Sequence, residues 1–428
     1  MSNKLNSIKG TRDFLPEDTV LWQKIETTIK KVFFMYGYSE IRFPILEKTS
    51  LFNKSIGNST DLVNKEMYSF QDKNGKYITL RPEGTSCCTR VCIEHGLLRK
   101  HEQRLWYIGS MFRYEKPQQG RYRQFYQAGI EIYGHKGPYI DVEIILLINR
   151  IWNLLGLNKY LHLNINSIGS CKSRMKYIND LYKFLNINFN YLDEDSKRKI
   201  KKNNIFRILD SKNEKIKFLL KNSPKLISYL DNDSYVHFKN LCNILDKNNV
   251  KYNINTTLVR GLDYYNKTVF EWTTDFIGSK NTVCGGGRYD YLTEKLGGIN
   301  KPAIGCSIGL DRIMILMKKK NPNFFNIQYI DLYIITSFLK NKNKALIISE
   351  NLRNKLPYIR LITDYSNSSF NNQFKKAFKY HSNFVLILKN NSKLDKILLK
   401  NLITGKKQNL FYKDIIIYLK LNIKNKFL

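Results

Sequence analysis

Residues 105–133 alternate polar and apolar side chains on either side of a polar, glycine-bearing tip, residues 116–123. Period-two alternation is the pattern of a strand, and two such runs around a short tip fold as a β-hairpin. In the second run Phe125, Gln127, Gly129, Glu131 and Tyr133 share one face, while Tyr126, Ala128, Ile130 and Ile132 share the other. The first run behaves alike, with Arg113 and Glu115 opposite Trp106, Ile108 and Phe112. One face therefore packs on a core. The other presents a ring, an amide, a carboxylate and a cation around a glycine that leaves space. A solvent-facing sheet side also collects polar residues. Against that reading, Gly129 weakens a strand for no structural return. The tip also carries Lys116, Arg121 and Arg123, where a phosphate ligand would want them.

The matching half of such a pocket is residues 258–272, LVRGLDYYNKTVFEW. Arg260 precedes Asp263 by three positions, and Tyr264 and Tyr265 follow. A cation beside two phenols suits a ligand that has both a negative group and a small polar ring. Near Gly285 the chain reads VCGGGRYDYL, and from Pro302 it reads PAIGCSIGLDRIMIL. Gly305 and Gly309 precede Asp311 and Arg312 and allow close backbone approach to a ligand before a helix begins. Neither GxxxxGK[ST] nor a strand–GxGxxG–helix unit is present, which disfavours P-loop and Rossmann nucleotide binding.

Around these segments the periodicity predicts a helix over residues 17–35, with Val20, Leu21, Ile25, Ile29, Val32 and Phe33 on one stripe and Gly37 as a stop. A strand carrying Pro44 comes next, placed at an edge or interface because proline cannot donate to a ladder. Residues 77–80 form another strand, leading through RPEGTS into a helix that runs to Leu98. Cys88, Cys92 and His95 fall at i, i+4 and i+7 of that helix. A metal site there lacks a fourth ligand, so buried thiols on a core-facing helix are the better reading. Residues 169–251 lose glycine and strand patterns to short Lys/Asn-rich amphipathic helices and read as an insertion. KKKNPNFFN after Met317 reads as a linker. Beyond it DLYIITSF, ALIISENLRN, YIRLITDY, FNNQFKKAFKYH and FVLILK alternate as strand, helix, strand, helix, strand, which predicts a small, largely parallel α/β domain.

Charge and cysteine usage narrow the setting. Lys and Arg number 71 against 36 Asp and Glu, a net +35 that favours a polyanionic partner, nucleic acid first. Lys, Asn and Ile crowd nearly every segment, so only part of that charge is credited to binding. Aromatics at 13% exclude a disordered chain. The count of 7 cysteines is odd, without CxxC, and fits reduced thiols. The start, MSNKLNSIKGTRDF, shows no apolar signal core, and no apolar run approaches the roughly 20 residues of a membrane helix. The expectation is a cytoplasmic protein with no membrane partner.

The motifs together resemble those of histidyl-tRNA synthetases, which are class II aminoacyl-tRNA synthetases, from KGTRDFLP at Lys9 into the C-terminal domain. FFMYGYSEIRFPILEKTSLF is similar to the dimer-forming motif 1, MFRYEKPQQGRYRQFYQAGIEIYG to motif 2, and IGLDR to motif 3. TLRPEGT and LVRGLDYYNKTVFEW resemble the elements that set this family apart from other class II enzymes. Lys116 stands where arginine is usual, Tyr126 where histidine is, and Asp311 where glutamate is frequent.

The resemblance implies an α+β fold: a class II antiparallel sheet flanked by helices, with a catalytic domain over residues 1–325, a helical insertion over 169–251, and an anticodon-binding α/β domain over 327–428. It implies a ligase that joins L-histidine to tRNA(His) through a histidyl-adenylate, with ATP as substrate, Mg2+ bound with the ATP, no separate metal site, and a homodimer. Arg113 and Arg260 are then the catalytic cations, at the α-phosphate and the histidine carboxylate. Glu115, Arg121, Phe125 and Arg312, with Arg113, take ATP. Glu83, Gly84, Thr85, Gln127, Glu131, Tyr264 and Tyr265 take histidine, with Glu131 and Tyr264 on the imidazole. Lys116 and Gln118 are assigned to tRNA. Any one of these arginines alone reads better as a surface ion pair; four in such motifs reverse that. The alternative is the non-catalytic regulatory subunit of ATP phosphoribosyltransferase, a relative that usually lacks both the C-terminal module and the RGLDYY element.

Overall fold

A computed structural model describes residues 5–57, 60–202, 204–211, 213–278, 282–320, 330–336, 342–388 and 397–423. The chain divides into two compact units, Met1–Pro322 and Asn323–Leu428. In the first, α1 (Pro16–Met35) begins on a proline and carries Glu17 and Asp18 in its first turn, where the helix dipole favours acids. It buries Leu21, Ile25, Ile29, Val32 and Phe33. Next come β1 (Ser39–Glu40) and β2 (Leu46–Lys48), two short strands instead of the one expected. Pro44 lies in the break, and there the carbonyl of Phe43 accepts from Arg81 Nη1 at 2.8 Å instead of from a strand.

After α2 (Thr49–Ile56), β3 (Tyr68–Gln71) and β4 (Tyr77–Leu80) come α3 (Thr85–Glu94) and α4 (Leu97–Lys100). The single helix expected up to Leu98 is broken by Gly96 at φ 65°. Cys88 and Cys92 are buried in the core. The hairpin is β5 (Gln103–Phe112) and β6 (Gln124–Tyr133), followed by α5 (Pro138–Leu155) and β7 (His162–Ser167). The helical stretch comprises α6 (Cys171–Ile187), α7 (Glu194–Lys201), α8 (Glu214–Lys221) and α9 (Asn232–Lys247), with a 3-10 turn at Ile205–Asp210. The unit closes with β8 (Asn253–Ile254), β9 (Asn266–Thr273), β10 (Thr282–Arg288), α10 (Leu292–Lys295), β11 (Ala303–Gly309) and α11 (Leu310–Lys320). Lys318, Lys319 and Lys320 are thus helical where a linker was expected, and the rest of that linker lies outside the described residues.

The main sheet has eight strands in the order β1-β5-β6-β11-β10-β9-β7-β8. Its central pairs are antiparallel, and only the outer pairs β1–β5 and β7–β8 are parallel. Trp106, on the apolar face predicted for β5, meets Phe33 of α1 with ring centroids 5.7 Å apart. The opposite face is left for the cavity.

The second unit holds β12 (Leu332–Thr336), α12 (Lys342–Lys355), β13 (Leu361–Thr363), α13 (Phe370–Lys379), β14 (Phe384–Leu388), β15 (Ile397–Asn401), β16 (Lys407–Leu410) and α14 (Tyr412–Asn422). Its strands run β13-β12-β14-β15-β16. The first three are parallel as expected, but β15 and β16 add an antiparallel edge that the sequence did not signal. On α13, Lys375 and Lys379 are exposed, whereas Lys376 turns back onto Asp364 at 3.3 Å.

Candidate active site

A cavity of about 1060 Å³ opens in the first unit, ample for a nucleotide and an amino acid together. Four strand-end and loop segments that lie far apart in sequence supply its walls. Arg113, Glu115 and Arg121 come from the hairpin's ends and tip, Phe125 and Gln127 from β6, Arg260, Tyr264 and Tyr265 from the loop before β9, and Arg312 from the first turn of α11. Glu83 and Thr85 line it from the start of α3. The four arginines predicted from separate motifs therefore share one chamber.

Each guanidinium is braced. Arg113 Nε donates to the carbonyl of Pro82 at 2.9 Å, and its carbon lies 5.2 Å from the centroid of the Phe125 ring. Arg312 Nε donates to the Gly120 carbonyl at 3.0 Å, which ties the hairpin tip to α11, and Nη1 donates to the Thr282 carbonyl. Arg260 Nη1 donates to Glu271 at 3.2 Å, and Arg121 pairs with Glu115. Mutual repulsion is felt: burial first, then Arg121, Arg113 and Arg260, push the Arg312 guanidinium down to about 10. Burial likewise lowers Arg113 and Arg121. Arg260 moves the other way: burial opposes its charge most strongly, but Tyr265, Glu271, Cys284 and Tyr264 together raise it on balance. Among the described residues, Arg260 Nε and Gln127 Oε1 are buried without a hydrogen-bond partner. An anion that accepts from the guanidinium and a cation that donates to the amide oxygen would satisfy both.

The floor is a hydroxyl–carboxylate cluster. Glu131 is fully buried and accepts from Thr85 Oγ1 at 2.7 Å, from the Tyr107 hydroxyl at 3.0 Å, and from the Tyr289 hydroxyl. Burial pushes its carboxyl up to about 8, against the pull of those donors. No cation pairs with it among the described residues, so a salt bridge across the sheet is not its role. Nor does it line the cavity; it lies below residues that do. Glu83 accepts from the amides of Thr85 and Ser86, at 2.7 and 2.8 Å, and from the Tyr264 hydroxyl at 3.4 Å. Burial holds Tyr264 well above the usual phenol range and pushes Tyr265 up to about 12, so both hydroxyls stay protonated donors.

Three glycines serve a purpose other than the expected one. Gly129 was read as leaving room for a ligand and Gly84 was assigned to histidine, yet a Cβ at either would collide with the Tyr107 ring. Gly305 likewise gives its space to the Glu131 carboxylate. The room belongs to the side chains that build the floor. Of the residues assigned to histidine, Gly84 and Glu131 thus do not line the cavity; Lys116 and Gln118, assigned to tRNA, are exposed on the hairpin tip and do not line it either. Sequence reasoning missed Tyr107, Tyr289 and Glu271. Tyr289 sits in the GGGRYD run, read only for its glycines. Tyr107 falls on the same face of the hairpin as Arg113, a parity that would have found it. Glu271 lies within LVRGLDYYNKTVFEW and was passed over.

No set of three or more His, Cys, Asp or Glu is grouped to hold a metal ion among the described residues, and no described helix is long and apolar enough to cross a membrane.

The sequence profile described as histidyl-tRNA synthetase matches residues 10–313. A crystal structure of the apo histidyl-tRNA synthetase of S. aureus is 30% identical, with a TM-score of 0.80 over 97% of this chain and 100% of that one. A histidyl-tRNA synthetase from a Nostoc species shares the fold at 19% identity, with a TM-score of 0.72 over 98% of this chain and 100% of that one. So does a Bacillus halodurans protein described as an ATP phosphoribosyltransferase regulatory subunit/histidyl-tRNA synthetase, at 19% identity and a TM-score of 0.65 over 90% of this chain and 99% of that one.

Proposed function

The chain belongs to the histidyl-tRNA synthetase family, and from that premise we propose that it is a histidine–tRNA ligase that consumes ATP, forms histidyl-adenylate and charges tRNA(His), as a cytoplasmic homodimer. The observation that carries this reading is the convergence of Arg113, Arg121, Arg260 and Arg312 on one cavity beside Tyr264 and Tyr265. A cluster of four cations in a partly closed space costs energy unless an anion fills it.

The first step needs no protein nucleophile, because the histidine carboxylate is ionised at neutral pH and attacks the α-phosphorus itself. The obstacle is bringing one anion onto another. Arg113 and Arg260 oppose that repulsion at the α-phosphate and the carboxylate, and Arg121 and Arg312 hold the triphosphate tail. Phe125 stacks on adenine once Arg113 shifts its guanidinium from the ring to phosphate. Glu115 meets the adenine or the metal-bound phosphates. The cavity's carboxylates, Glu115 and Glu271 among them, suit the oxygen preference of Mg2+, which when bound supplies charge neutralisation to the phosphates. Glu83, Thr85 and the Gln127 Oε1 take the α-ammonium. Glu131 and Tyr264 take the two imidazole nitrogens, with Glu131 reached by a small movement of the floor hydroxyls, and Tyr265 walls the ring. A site that pairs both nitrogens rejects analogues lacking them by ~10⁴ or more.

The second unit is the proposed anticodon-binding module, and Lys116 and Gln118 are placed to meet the tRNA end. Regulatory-subunit function is the competing reading; it leaves Arg260 and its orphan Nε without a task. Histidine-dependent ATP–pyrophosphate exchange, followed by aminoacylation of the cognate tRNA, separates the two. Deleting residues 327–428 is expected to abolish charging while exchange persists, with tRNA binding by the intact chain falling steeply as salt rises. Exchange absent from the intact chain overturns the proposal.

A further inference from the structure

The helical insertion reaches the catalytic loop through one side chain. Arg207 sits in the 3-10 turn Ile205–Asp210, between α7 and α8. Its Nη1 donates to the main-chain carbonyl of Arg260 at 2.8 Å, and its Nη2 donates to Asp263 Oδ1 at 2.8 Å. The two bonds span the backbone of the very residue whose side chain points into the cavity. Arg207 itself lines that cavity and is mostly shielded, with its side chain 15% exposed. Asp263 is anchored on its far side, since its amide donates to the Ile56 carbonyl at 3.1 Å at the end of α2. The loop is thus gripped between α2 and the insertion.

What holds Arg207 is equally fixed. Ile205, Ile208 and Leu209 of its turn are buried in one apolar cluster with Tyr177 and Leu181 of α6 and with Leu258, Val259, Tyr264 and Tyr265 of the catalytic loop. A single continuous core therefore joins the insertion to the segment that carries Arg260. The loop has no strand pairing of its own between β8 and β9. A guanidinium suits this task because its rigid planar fork holds donors on two separate nitrogens at a fixed spacing, whereas an ammonium is a single compact centre on a flexible stem.

We infer that Arg207 is a positioning residue for Arg260: it fixes the backbone of the catalytic loop so that the Arg260 guanidinium meets the reacting anions, and the insertion thereby takes part in amino-acid activation. This rests on the ligase reading above for its kinetic consequence, but the clamp itself can be measured without any activity. Losing two bonds from one charged donor predicts a kcat for histidine-dependent pyrophosphate exchange lower by roughly 10- to 100-fold in Arg207→Ala. KM for ATP and for histidine stays within about threefold, because the loss falls on the transition state. Arg207→Lys recovers part of the rate by restoring one donor. In the same full-length proteins, hydrogen–deuterium exchange across residues 258–265 quickens in Arg207→Ala while α1 and β5 keep their protection.

Unchanged kcat together with unchanged loop exchange overturns the inference. So does a uniform loss of protection across the whole unit, or a rise in both KM values with kcat intact, since either describes general destabilisation or lost binding and not positioning. A wild-type chain that lacks pyrophosphate exchange sinks the ligase reading alone; the loop-exchange comparison then still decides whether Arg207 holds the loop.

Discussion

The helical insertion and the sheet beside it are stabilised in opposite ways. Each insertion helix opens on its own polar cap: Ser170 accepts from the Ser173 amide, Asp193 from Ser196, Asn213 from Lys215 and Asp231 from Ser234. Their charges also pair within a turn, as in Lys197 with Glu194 and Lys217 with Glu214. Around the sheet, α1, α2 and α5 have no side-chain cap bond, and the polar contacts that matter are distant in sequence. Arg288 of β10 bonds Asp141 of α5 across 147 residues, and Tyr264 meets Glu83 across 181. Local devices shape helices cheaply and tolerate drift toward Lys and Asn. A reaction site needs groups from several segments at fixed distances, and only long-range contacts give that.

The contrast can be broken most severely at its long-range end. Arg288 and Asp141 are both wholly buried, with Nη2 to Oδ1 at 2.7 Å, and His237 of α9 also lies 2.8 Å from Asp141. Asp141→Ala leaves the buried guanidinium with Asp290, 3.1 Å from Nη1, as its remaining carboxylate partner, and is expected to cost about 3 kcal/mol in urea unfolding. A loss below 1 kcal/mol, read on the same scale, would show that the sheet does not depend on this triad. Arg260→Ala is next: pyrophosphate exchange falls by roughly 10²–10³ while the melting curve stays put. A parallel loss of fold would place that arginine in architecture instead of chemistry.

Glu131 and Asp231 sharpen the comparison through pH. The native Glu131 value of about 8 lies above the 4.5 of the unfolded residue, so the folded chain keeps a proton that the unfolded chain releases. Its contribution is complete below about 4.5 and declines as pH rises toward 8. Glu131→Gln should flatten that part of the stability–pH curve and weaken histidine binding by about tenfold or more in calorimetry. Binding as tight as wild type would remove Glu131 from recognition. Asp231 runs the other way. Burial opposes its ionised form, but Ser173, Ser170 and Ser234 hold it well below the usual carboxylate range. Its contribution is present above the unfolded value near 3.8 and fades as pH falls below it. Asp231→Ala is expected to cost about 1 kcal/mol at neutral pH, the loss of one helix cap, and to leave exchange activity almost unaltered. A large activity loss there would mean that the insertion's local scaffolding sets the site as firmly as the sheet does.

Much of this was legible in the residues. Strand parity put Phe125, Gln127 and Glu131 on one face and Trp106 on the other, and the structure keeps both assignments. The stripe on α1 named its buried residues because 3.6-residue periodicity acts over one short segment. The αβ alternation of the second unit was read correctly in its parallel part and missed the β15–β16 edge, where β15 is a short, mostly apolar run of five residues and β16 a mostly polar one of four. Pro44 and Gly96 carried their breaks in plain sight, yet where a chain resumes after a break depends on what it packs against.

By itself the sequence determined the segments that carry chemistry and the face each side chain takes, because both follow from periodicity within a few residues. Tertiary structure alone decided which groups touch. Tyr107 fills the space left by Gly84 and Gly129, Glu131 takes the space at Gly305, and Arg207 grips the backbone of Arg260 from a region that showed no sign of catalytic purpose. The physical reason is that a hydrogen bond depends on position in space, and alternation along a strand says nothing about which distant turn will be packed against it.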